Sequence, residues 1–164
     1  MMTTRRTITT AIGGVLLLCA SSVFAADKPN FSGEWKLNVD KSNFGPIPPP
    51  NAQVMKITHK DPEVTSTTDQ DGMEGKVTFT VKYKTDGTET VNEIRGAQAK
   101  TVGKWDGESL VVTTKLDFQG MDVTLNNTMK MASDGKNINA VNKIVTPQGE
   151  FEQTLVFDKV EPKP

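Results

Sequence analysis

Residues that do chemistry are scarce in this sequence. Its 164 residues include one cysteine and one histidine. The cysteine, Cys19, stands in a leader-like N-terminal stretch, so the chain beyond it can form no disulfide and offer no thiolate to a metal. A lone His59 excludes a three-histidine metal centre. Set beside Lys60 at the end of an alternating run, it reads as a surface or rim residue rather than a catalytic base. No serine or threonine has a recognisable nucleophile setting, and these absences argue against an enzyme. Basic blocks are missing as well: 19 basic and 20 acidic groups are spread along the chain, which speaks against nucleic acid as a partner. No stretch beyond residue 30 has a convincing helical period.

What the N-terminus does have is an export signal. Arg5 and Arg6 precede an apolar run from Ala11 to Ala20, and small residues follow to Val23-Phe24-Ala25, the three-part layout of a cleaved leader. The apolar run is shorter than the ~20 residues of a spanning helix. Cleavage after Ala25 or Ala26 is expected, and with it export to a periplasmic or extracellular location. Thr7-Ile8-Thr9 match a twin-arginine signal poorly, which favours the general route. Leu17 and Leu18 stand before Cys19 where a lipidation signal places small residues, so lipidation is the minor alternative. Removing residues 1–25 takes two of the 19 basic groups and none of the 20 acidic ones, which leaves a net charge of −3 on 26–164. A single domain of this length buries enough surface to fold without covalent staples.

Beyond residue 30 the period is two. "KVTFTVKY" places Val77, Phe79, Val81 and Tyr83 on one face and Thr78, Thr80 and Lys82 on the other, a strand with one dry and one wet side. "SLVVTTKLDF" repeats the pattern with Leu110, Val112, Thr114, Leu116 and Phe118. "MDVTLNNTMKM" aligns Met121, Val123, Leu125, Asn127, Met129 and Met131, and "EFEQTLVFDK" aligns Phe151, Gln153, Leu155 and Phe157. Asp-Gly pairs at 71–72, 86–87, 106–107 and 134–135 mark tight turns, as do Asp61-Pro62, Gln119-Gly120 and Pro147-Gln148-Gly149. About ten strands result, and the short links imply antiparallel neighbours throughout. Closing such a meander removes its two unpaired edges. The expected fold is therefore all-β, a single antiparallel up-and-down barrel of about ten strands. Its one longer connection, "KSNFGPIPPPN" from Lys41 to Asn51, is too rich in proline for a helix or an interior strand. It reads as a stiff strap across one end.

"FSGEWKL" (Phe31 to Leu37) resembles the opening strand of the cellular fatty-acid-binding proteins, and its Gly33-Glu34-Trp35 is shared with lipocalins; "KWDG" (Lys104 to Gly107) and "TLVFDKV" (Thr154 to Val160) resemble that family's late strands. The resemblance implies a calycin-type, lipocalin-like barrel in which Trp35 plugs one end and Gly33 gives it room. Fatty-acid-binding proteins hold a carboxylate with an Arg-x-Tyr pair on the last strand. Leu155 and Phe157 occupy the matching positions here, so the anion anchor is absent. The strap likewise replaces the family's helical lid.

A barrel of this size is either filled by side chains or holds one small ligand. The cavity candidates are Met55, Phe79, Tyr83, Phe118, Met121, Met129, Leu155 and Phe157, and the same residues equally suit a filled core. Asn127, Asn142 and Gln153 share the inward parity of their apolar neighbours, which implies mutual hydrogen bonds or internal water unless a bulge turns them outward. "DQDGME" (Asp69 to Glu74) faintly suggests a calcium loop, but its spacing is incomplete and its Asp-Gly is explained as a turn. No metal or cofactor is implied. The leading expectation is an exported, non-enzymatic barrel for a small, largely neutral hydrophobic molecule. The alternative is a solid barrel that meets a protein partner through the strap 41–51.

Overall fold

The computed structural model describes residues 28–73 and 75–161. The export leader expected over 1–25, Cys19 within it, and Glu74 of the calcium-like stretch lie outside these residues. Period-two alternation is realised as ten strands: β1 (Gly33–Leu37), β2 (Ala52–Lys60), β3 (Glu63–Gly72), β4 (Gly75–Lys84), β5 (Thr90–Ile94), β6 (Ala97–Asp106), β7 (Ser109–Phe118), β8 (Met121–Met131), β9 (Asn137–Thr146) and β10 (Gly149–Lys159). They form one antiparallel sheet in the order β4-β3-β2-β1-β10-β9-β8-β7-β6-β5, in which pairing of the first strand with the last curls the meander into a nearly closed barrel.

Registers stack the inward side chains in rows. The lowest joins Leu37, Phe157, Ile138 and Met131. Above it lie Leu155, Ala140, Met129, Leu110 and Trp105, and next Gln153, Asn142, Asn127, Val112 and Gly103. Higher still are Phe151, Ile144, Leu125, Thr114 and Thr101. No bulge interrupts these ladders, so the three amides do face inward.

The lower end is closed by the segment that enters β1. Phe31 and Trp35 are fully buried there, and the Phe31 carbonyl accepts the indole N–H of Trp35 at 2.9 Å. Gly33 serves this plug differently from the expectation. A Cβ at Gly33 would lie 3.6 Å from the Trp35 indole nitrogen, an ordinary contact, but its φ is +142°. Glycine is required by the backbone conformation rather than by the room it leaves.

The sheet departs from a simple meander at one place. Strands β4 and β5 are joined by a short link yet are not ladder neighbours; they are the two ends of the sheet. Gly103 is the reason at the lower end. A Cβ on it would sit 2.6 Å from the Lys84 carbonyl oxygen and 2.8 Å from the Tyr83 ring, so only glycine lets the end of β4 lie against β6. The chain then bridges to β6, with Gly87 N–H donating to the Gly103 carbonyl at 2.9 Å. The Asp86-Gly87 pair, expected as a hairpin turn, makes this crossing instead. Higher up, Asn92 spans the opening with its side chain: its oxygen accepts the Lys82 N–H at 2.7 Å and its amide donates to the Lys82 carbonyl at 2.9 Å. One side chain thus substitutes for a piece of ladder. The Asp71-Gly72 pair is also corrected, because Gly72 still pairs with Gly75 and so belongs to the ladder rather than to the turn.

The strap runs across the upper end. Asn43 exchanges two backbone hydrogen bonds with Thr154 on β10, and Asn51 N–H donates to the Asp71 carbonyl on β3 at 2.8 Å. Between these ties lie Pro46, Pro48, Pro49 and Pro50, which present no amide donors. Gly45 carries the turn at φ +59°, and a Cβ on it would lie 2.9 Å from the Glu152 carbonyl oxygen.

Candidate functional site

Burial divides the inward-facing side chains into two groups. Toward the closed end, Leu37, Ile57, Val64, Leu110, Ile138 and Ala140 are buried against Phe31 and Trp35. Five cavity candidates belong to this packed group: Met55, Tyr83, Met129, Leu155 and Phe157, each at most 9% exposed. They are filler for the lower half. Burial also pushes the Tyr83 phenol well above its usual range, so it stays neutral. Toward the strap, Phe79, Phe118, Met121, Asn127 and Asn142 point inward but are only half-buried, as are Val77, Leu116, Val123, Leu125 and Ile144. Inward apolar side chains that remain accessible line an opening rather than a core.

Gln153 marks the border. It is 8% exposed, and its amide donates to the Phe44 carbonyl of the strap at 3.2 Å. Phe44 is half-buried and packs against the core from above. Sequence reasoning missed Phe44, because a residue in a Gly/Pro-rich link has no periodicity to reveal its direction. A concavity of about 270 Å³ opens at the mouth, between Ile47–Pro50 of the strap and Gln70, Gly72, Val77 and Arg95 at the tops of β3, β4 and β5. A second one, about 290 Å³, is on the outer wall, where Lys100, Lys104 and Lys115 surround Val102 and Val111. By register it faces away from the interior.

Two polar groupings stand inside the barrel. One is fully paired: Asn92 bridges the Lys82 backbone and also donates to the Thr101 hydroxyl at 3.2 Å, which bonds to Thr114 at 3.2 Å. The other is the row Asn127-Asn142-Gln153, adjacent residues on β8, β9 and β10. Asn127 donates its side-chain amide to the Asn142 oxygen. Its own oxygen Oδ1 is buried without a partner among the described residues. Along the inward register of the strands the only charged residue is Lys159, at the closed end, with its ammonium 5.5 Å from the centre of the Trp35 ring. An anion carried inside would find no counter-charge there.

His59 is not a rim residue. It is 6% exposed and forms a triangle of rings with Phe31 and Trp105, all centres 5.9–6.1 Å apart. Its Nδ1 accepts the Phe31 backbone N–H at 3.2 Å, which leaves the proton on Nε2, 3.4 Å from Asp61 Oδ1. The strand alternation that made His59 inward also carried it under the plug, because Phe31 folds over the end of β2. Asp61 collects this corner. Its carboxyl is held below its ordinary value chiefly by the Thr85 hydroxyl at 2.6 Å and also by the Trp105 and His59 N–H groups, against a smaller opposing effect of burial. The geometry is a latch for the N-terminal segment, at the opposite end from the mouth. No group of three metal-ligating side chains gathers among the described residues, and no helix among them is long and apolar enough to cross a membrane.

No protein-family model matches the sequence, and no curated protein matches it. Solved structures do share the architecture. Zebrafish ileal bile acid-binding protein, complexed with cholic acid, superposes with a TM-score of 0.55 at 19% identity, over 79% of this chain and 98% of its own. Human cRBP IV gives 0.54 at 17% identity over 80% and 99%. An abundant heat soluble (SAHS) protein from Ramazzottius varieornatus gives 0.57 at 12% identity over 79% and 95%. At these identities the likeness establishes the fold alone, a nearly closed antiparallel β-barrel, and this chain spans nearly the whole length of each neighbour.

Proposed function

We propose that this protein is an exported, non-enzymatic barrel that binds a small, largely neutral hydrophobic molecule in its upper half. The observation that carries the reading is the division of the inward set. Below the amide row the barrel is packed shut; above it Ala99, Thr101 and Thr114 are buried too, while Phe79, Phe118 and Met121 face inward and stay partly accessible on the side of the proline strap. Leaving that apolar surface wet costs about 25 cal/mol per Å², which a guest of matching size recovers. Neutrality is supported by the inward register of the upper strands, which carries no charged side chain; Arg95 stands at the mouth. A neighbour in the same fold is a bile acid-binding protein complexed with cholic acid, which supports a small-molecule ligand with a largely hydrocarbon frame. Export rests on the leader at residues 1–25, and N-terminal sequencing of the exported protein should begin at Ala26 or Asp27.

Native mass spectrometry of protein purified gently from the envelope, followed by solvent extraction, tests the binding reading. A stoichiometric apolar adduct that is lost in Phe118→Asp is the expected result. A bare protein mass, together with no uptake of an environment-sensitive hydrophobic dye, overturns it.

A further inference from the structure

The interior amides differ in how completely they are used, and the difference identifies a polar contact for the guest. Asn92 spends both ends of its side chain on the Lys82 backbone and the Thr101 hydroxyl. Gln153 is committed to the Phe44 carbonyl. Asn127 is not used up in this way: its amide is given to Asn142, and its oxygen is buried with no donor among the described residues. A buried acceptor left unpaired is expensive, and structural amides are normally satisfied on both ends. Asn127 and Asn142 also stand where the packed half ends. The residues one row below them, Met129 and Ala140, are 5% and 1% exposed, whereas Asn127 and Asn142 themselves are half-buried.

The geometry points to the Asn127-Asn142 pair as the polar end of the binding site, where Asn127 Oδ1 accepts a hydrogen bond from a hydroxyl or N–H group of the guest. This rests on the binding reading above and narrows its ligand class. The guest is a neutral amphiphile whose single donor is inserted first, with its apolar body lying among Phe79, Phe118 and Met121 toward the mouth. A carboxylate inserted first is disfavoured, because ionised it brings an acceptor to the Asn127 oxygen, and the inward register of the strands carries no cation at that level; Arg95 stands only at the mouth. An ether or ester of the same length fills the same volume and leaves the oxygen unpaired.

Displacement of a bound hydrophobic dye from the full exported protein by dodecanol and by its methyl ether tests this. The alcohol should compete about 5- to 10-fold more strongly than the ether, the ratio that one retained hydrogen bond confers. In Asn127→Leu, close in volume, the two probes should become equal in displacing the dye. Equal competition in the unmodified protein overturns the inference while leaving a binding barrel, and that comparison decides even where the variant fails to fold. A preference for alcohol that persists in a folded Asn127→Leu removes the role from Asn127. Failure of the dye and both probes to bind overturns the binding reading itself.

Discussion

The lower and upper halves of this barrel are made by the same strands with the same alternation, yet one is a core and the other a site. Below the amide row, large side chains meet from opposite walls: Trp35 and Phe31 descend from the entering segment onto Leu110, Ile138 and Phe157. Above it, aromatic and methionine side chains face inward and stay only half-buried, and the cover is a proline strap that adds Phe44 to the core. Alternation alone builds the wall of a barrel. Whether the space inside is filled depends on which chain segments fold across its ends.

Substitutions should separate the two halves, beginning with the plug. Trp35→Ala removes a fully buried indole and should cost about 3–5 kcal/mol in urea denaturation; a loss below about 1 kcal/mol would contradict a packed lower half. Gly103→Ala forces a methyl against the Lys84 carbonyl and should cost about 1–3 kcal/mol, with the lower junction of β4 and β6 opening first in hydrogen exchange. Asn92→Leu removes the side-chain bridge between β4 and β5. It should cost about 1 kcal/mol and speed exchange of the Lys82 amide selectively. Phe118→Ala should cost about 1 kcal/mol or less while weakening uptake of a hydrophobic dye, the reverse of the pattern at Trp35.

The smallest effect concerns acid. The folded Asp61 carboxyl lies below its ordinary value of 3.8, so its contribution to stability is complete above that value and is lost as pH falls through the folded one. Thr85→Val removes the largest cause of the shift. Denaturation curves across the acid range should then fall less steeply with decreasing pH than those of the unmodified protein.

Much of the wall was legible in the sequence because strand alternation is local. "KVTFTVKY" and "MDVTLNNTMKM" assign their inward residues without reference to any other strand, and Asn127, Asn142 and Gln153 stand on the inward side as their parity requires. Depth along the barrel was not legible. Leu155 and Phe157 match an anchor position by alignment and Met55 and Tyr83 by parity, but all four belong to the packed lower half. His59 was misplaced for the same reason, since the Phe31 segment that buries it is distant in sequence. The unpaired β4–β5 junction escaped because a short link looks the same whether its strands pair or part.

By itself the sequence determined the number of strands and their inward faces, since both follow from residue types at a spacing of two. Only the tertiary structure decided which inward residues touch one another, that Gly103 and Asn92 manage the junction between β4 and β5, and that the barrel is packed at one end and open at the other. Those outcomes depend on segments such as Phe31 and Phe44 crossing the ends of strands far from them in the chain. Periodicity within a strand carries no record of what crosses it.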